Sequence, residues 1–94
     1  MQPATVIFGP AVDFALGRLI DHVDLEDIPA LIDFLERIQG RLVKTLGTFP
    51  EAGPGFHGTV RMFPLEGYVF LYEVHPEASE VHVLDMIAPG RNWR

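Results

Sequence analysis

The chain has no cysteine, one tryptophan and very little positive charge. Without thiols, disulfides and thiolate zinc sites are excluded, and a cytoplasmic location is the simplest expectation. No apolar run approaches the ~20 residues needed to span a bilayer, so no membrane association is expected. Residues Met1-Gln2-Pro3-Ala4 lack the basic and long apolar regions of a secretory signal. Lysine is nearly absent: Lys44 and a few arginines make up 7 basic side chains against 13 carboxylates, for a net charge of -6. The deficit is evenly spread, with four basic and seven acidic residues in 1–50 and three and six in 51–94. No segment carries the basic stripe that phosphate-backbone binding requires, so direct nucleic-acid binding is not expected.

What the chain does have is apolar periodicity. At 94 residues, 48% hydrophobic and 21% charged, it has the size and composition of one globular domain over 1–94. Thr5-Val6-Ile7-Phe8 reads as a short strand, broken by Gly9-Pro10. Proline suits the first helical position, and Val12, Leu16, Leu19, Ile20 and Val23 recur at helical spacing, predicting a helix from about Pro10 to Val23. An acidic connector follows. A second helix should start near Asp27, which can cap it, and present Leu31, Leu35, Ile38, Leu42 and Leu46 on one face before Gly47 and Pro50 end it. Residues 50–58 read as a loop, and Thr59–Phe63, Tyr68–Val74 and Val81–Ile87 as strands, with turns at Glu66-Gly67 and Pro76–Ser79. The predicted class is α+β, in the order β-α-α-β-β-β. An N-terminal strand and a helical hairpin pack on a small, mainly antiparallel sheet.

Strict alternation puts Tyr68, Phe70, Tyr72 and Val74 on one side of the middle strand and Val69, Leu71 and Glu73 on the other. In the last strand it groups Val81, Val83, Asp85 and Ile87 against His82, Leu84 and Met86. Both faces then look apolar, yet a helical hairpin covers only one. The uncovered face points to a partner.

In their order and spacing these residues resemble the RelE/ParE superfamily of bacterial toxin–antitoxin toxins, and within it the ParE branch. The resemblance covers nearly the whole chain. It rests on Ile28-Pro29-Ala30 leading into Leu31–Ile38, Leu46 with Pro50-x-x-Gly53, and Val60-Arg61. The strands Tyr68–Val74 and Val81–Ile87 and a late arginine complete it. No one element is specific; the succession is. The resemblance implies a toxin neutralised by a cognate antitoxin, a small protein with a DNA-binding N-terminal part, and hence a possible hetero-oligomer. The antitoxin's C-terminal segment would lie on exposed apolar surface, for which Leu19, Val23, Leu84 and Met86 are the candidates.

The two branches imply different activities. RelE-like toxins cleave mRNA on the ribosome, which requires a base, an acid and cations around the phosphate. Here only Arg61, His82 and Arg91 could serve, and Ala88-Pro89-Gly90 stands where many relatives carry a histidine. His82 lies in a strand among apolar residues, where a packed or partner-facing role is the plainer reading, and Arg61 could simply pair with Glu73. His22, His57 and His75 read as surface residues. No metal-ligand spacing appears and no cofactor is expected. ParE-like toxins instead inhibit DNA gyrase by protein contact. Arg61 and the tail residues Arg91, Asn92, Trp93 and Arg94 are then the candidate target contacts, although Trp93 could equally fold back on the sheet. A non-toxic interaction module on the same fold is a third reading.

Overall fold

The structure, a computed structural model, describes residues 3–89. Strand β1 (Thr5–Phe8) passes through Gly9 into helix α1 (Pro10–Asp21), and a 3-10 turn at Leu25–Asp27 feeds helix α2 (Ile28–Thr48). Strands β2 (Gly55–His57), β3 (Val60–Leu65), β4 (Tyr68–His75) and β5 (Glu80–Ile87) follow. They form one sheet in the order β1-β5-β4-β3-β2. Every pairing is antiparallel except β1 with β5. A parallel pair needs a long crossover, and here the chain between the first and last strands supplies it.

The predicted elements all form, with one addition. Strand β2 arises inside the glycine-rich segment read as loop, because β3 offers it a pairing edge that composition does not reveal. The start of α2 also differs. Asp27 holds the capping position, but its side chain makes no cap bond, since the preceding 3-10 turn already runs into the helix with Asp27 in helical conformation. Gly47 lies within α2 rather than ending it. A Cβ there would stand 3.1 Å from the Ala4 carbonyl oxygen, and the Ala4 N–H donates to the Gly47 carbonyl at 2.8 Å. Close approach of helix to strand is the reason for that glycine.

The core lies between the helices and one sheet face. Leu35, Ile38, Leu42 and Leu46 form the buried stripe of α2 at helical spacing, and Val12 is the buried residue of α1. Opposite them are Tyr68, Phe70, Tyr72, Val81, Val83 and Met86. Tyr68 meets Phe34 of α2 with ring centroids 6.1 Å apart. The β3–β4 hairpin turns at Glu66-Gly67, both with positive φ (55° and 85°), the two-residue turn whose twist matches that of the strands.

One irregularity decides which side chains face the helices. Along β4 and β5, Leu71 pairs with Asp85 but Tyr72 pairs with Val83, so Leu84 has no partner and forms a bulge. Beyond it the alternation inverts. Met86 joins Phe70 on the core face, 5% exposed, while Asp85 and Ile87 pass to the outer face with Leu71 and Val69. Unbroken alternation predicted the opposite for all three.

Gly53 and Gly17 have opposite tolerances. A Cβ on Gly53 would overlap the Met62 carbonyl oxygen and sit 2.9 Å from the Tyr72 hydroxyl, whereas nothing lies within 4 Å of one on Gly17. In urea melts, Gly53→Ala should lose about 3 kcal/mol of stability, and Gly17→Ala should gain about 0.5–1 kcal/mol.

Candidate functional site

Strand β1 runs beside only the first half of β5, from Glu80 to Val83. At Gly9 the chain leaves the sheet, its N–H donating to the Val83 carbonyl at 2.8 Å, and Pro10 starts α1. The second half of β5 therefore has a strand partner on its β4 side alone. Between its margin and α1 lies an open groove of ≈ 750 Å³. Ala11, Phe14, Ala15 and Leu19 line it from the helix, and Asp85 to Ala88 from the strand. Phe14 is 71% exposed, although an aromatic ring of that size is ordinarily covered. Arg18 and His22 stand at the helix rim. The margin has no second strand, although the Met86 N–H donates to Asp85 Oδ1 at 2.8 Å; an apolar trough beside such a strand edge is a geometry that accepts an added peptide segment.

The four candidate antitoxin contacts fall around this groove unequally. Leu19 lines it, half-buried. Leu84 is the exposed bulge at 36%, and Val23 is half-buried just past α1. Met86 contributes only to the groove's floor, because the bulge has turned its side chain into the core.

The outer face of the sheet carries a second feature. Across the β4–β5 hairpin Glu73 pairs with His82 and His75 with Glu80, a checkerboard of two imidazoles and two carboxylates. The His82 Nε2 lies 2.8 Å from Glu80 Oε1, and the two imidazole rings stack with centroids 4.2 Å apart. Thr59 donates its hydroxyl to Glu73 Oε2 at 2.6 Å. Glu73 Oε1 lies 3.6 Å from His75 Nε2, a buried nitrogen with no hydrogen-bond partner. His75 is therefore part of a packed cluster, not a free turn residue as its sequence position suggested. Among the described residues no three carboxylate or imidazole groups are placed to hold a metal ion.

Arg61 is drawn away from this face. It pairs with Tyr72 in register and so lies on the side opposite Glu73, which removes the Arg61–Glu73 pair that the sequence left open. Its Nη1 donates to the Gly53 carbonyl at 2.6 Å and, more weakly, to the Glu51 carbonyl at 3.4 Å. The Gly53 N–H donates to the Tyr72 hydroxyl at 2.9 Å. Arg61 and Tyr72 together pin the Pro50–Pro54 segment to the sheet. Arg61 and His82 do not converge on one cleft, and Arg91, Asn92, Trp93 and Arg94 lie outside the described residues. The sequence reading missed Phe14 and the His75–His82 stack. The stack was recoverable, since a hairpin closing on Pro76–Ser79 sets His75 diagonally across from His82.

Burial pushes the Tyr72 phenol above its ordinary value of 10.0, against the lowering pull of the Gly53 N–H and the Arg61 guanidinium.

A five-stranded mixed sheet backed on one face by two helices, with β1 parallel to the last strand, is a fold shared with solved chains of toxin–antitoxin systems. No protein-family model and no curated protein matches the sequence. The fold likeness comes from solved structures. A chain of the chromosomal ParDE toxin–antitoxin system of P. aeruginosa aligns with a TM-score of 0.72 at 18% identity, covering 92% of this chain and 96% of that one. A chain of the RelBE2 toxin–antitoxin complex of Mycobacterium tuberculosis aligns with a TM-score of 0.63 at 16% identity, covering 97% of each. The isolated RelE toxin of E. coli gives 0.58 at 17% identity, covering 96% and 88%.

Two measurements follow. Arg61→Ala should speed hydrogen exchange at the Met62 amide, which donates to the Pro54 carbonyl at 3.0 Å, and lower stability by about 1–2 kcal/mol, because the loop carbonyl loses its charged donor. The stability that Tyr72 contributes is complete below pH 10.0, where the phenol is neutral in both states, and is lost as pH rises through its raised folded value. Denaturation curves should therefore show an alkaline decline that flattens in Tyr72→Phe.

Proposed function

We propose that this chain is the toxin of a type II toxin–antitoxin pair, restrained by an antitoxin segment seated between α1 and the unpaired margin of β5. The observation that carries the reading is this groove, with the exposed Phe14 ring beside a strand edge that β1 leaves uncovered, on a RelE/ParE-type fold. A segment disordered when free could offset its ordering cost by burying these apolar groups.

The target is a protein, with DNA gyrase as the leading candidate. The higher TM-score with the ParDE chain than with RelE supports the ParE-like branch. The charge pattern supports it too. Among the described residues no lysine or arginine stands on the outer sheet face to meet a phosphate, and Arg61 is committed to loop carbonyls. The mRNA-endonuclease reading draws on one observation, the stacked His75–His82 pair with its flanking carboxylates, which could supply an acid and a base. Among the described residues no lysine or arginine stands beside that pair to neutralise the developing phosphate charge.

Expression of the chain alone should arrest growth, and co-expression with the product of a neighbouring antitoxin gene should relieve it. Phe14→Glu should weaken capture of that antitoxin about ten-fold or more, since it sets a charge in the apolar trough. Purified chain should inhibit gyrase supercoiling. Unchanged supercoiling at large molar excess counts against gyrase, and cuts in translated mRNA that vanish in His82→Ala would move the assignment to the endonuclease reading. Absence of growth arrest would leave the non-toxic interaction module.

A further inference from the structure

The outer face of the sheet lies opposite both helices and meets the groove only at Asp85 and Ile87, and its composition selects a partner. Cross-strand register places Met62, Leu71 and Val69 on it from β3 and β4, all half-buried. Ile7 of β1 is 39% exposed, and Leu84 stands out at the bulge. Among these apolar groups sit Glu73, Glu80 and Asp85. The described lysines and arginines are all elsewhere: Arg18 on α1, Arg37, Arg41 and Lys44 on α2, and Arg61 turned to the other side of β3. Among the described residues the face thus carries no lysine or arginine, and its two imidazoles, His75 and His82, stand against Glu73 and Glu80.

We infer that this face docks a basic, partly apolar segment of another protein, its lysines or arginines meeting Glu73 and Glu80 and its apolar side chains covering Leu71 and Met62. The other occupants fail on the same observations. A nucleic acid would bring phosphates against three carboxylates with no lysine or arginine among the described residues of this face. A second copy meeting face to face would oppose the same carboxylates across a two-fold axis, within a chain of net charge -6. A small molecule has better-formed sites elsewhere, in the concave regions along α1 and around Phe49. The chain's own helices occupy the opposite side. A basic segment gains attraction from each carboxylate and covers the exposed apolar groups at once. Glu80 is 35% exposed and Glu73 29%, so both can be reached from solvent. The inference does not rest on the toxin reading and is testable on the isolated chain.

The experiment is amide-detected NMR on the full chain with three probes: an alternating lysine–valine peptide, its glutamate–valine counterpart, and an unstructured single-stranded RNA. The lysine peptide should bind, more weakly as salt rises, with shifts at Met62, Leu71, Glu73 and His82. The Glu73→Gln/Glu80→Gln double variant should weaken it about five-fold or more. Leu84→Lys, a change at an exposed position that leaves the core untouched, should weaken it as well. Equal binding of the glutamate peptide, shifts confined to the Phe14 groove, RNA binding on this face, or no binding of the lysine peptide would each overturn the inference.

Discussion

The bulge at Leu84 is the constraint on which both surfaces depend. Strand β5 is bonded on both sides along its first half and on one side along its second, and the extra residue falls where that change occurs. Without it, Met86 would face solvent and Asp85 would enter the core beneath α1, leaving a carboxylate to be buried without a cation. With it, Met86 completes the apolar layer under α1, and Asp85 and Ile87 move to the outer face. One unpaired residue thus supplies the floor of the groove and part of the composition of the outer face.

The two surfaces are physically unlike. The groove combines an exposed aromatic ring, small helical side chains that allow close approach, and a strand edge with no second strand beside it. Main-chain hydrogen bonding and apolar burial would dominate there, which suits a segment that folds as it binds. The outer face has fully paired backbone through most of its width and a mosaic of apolar and acidic side chains. Charge and shape complementarity would govern it, and its association would respond to salt.

Arg61 shows why a residue's position in a motif does not fix its role. Sequence placed it on a strand where the resemblance implies function, and the strand does form. Its guanidinium nonetheless holds two loop carbonyls, and the Tyr72 hydroxyl holds the amide between them. Gly53 fits this arrangement only because it lacks a Cβ. The segment that strand β2 extends is fastened by these bonds, and they occupy the cation that a phosphate site would have needed.

Much of the fold was legible from the chain alone, because local rules and the global arrangement agree. Helical periodicity marked the α2 stripe Leu35, Ile38, Leu42 and Leu46, Pro10 marked the start of α1, and Glu66-Gly67 marked the hairpin. The scarcity of positive charge already argued against nucleic acid. The site was less legible. The bulge, the short pairing of β1 with β5, the seating of Gly47 on Ala4 and the capture of Arg61 by the loop all arise between segments far apart in sequence. Periodicity determines which face a side chain takes only while pairing is regular; once a residue is inserted, the partner strand decides, and that partner exists only in the folded molecule.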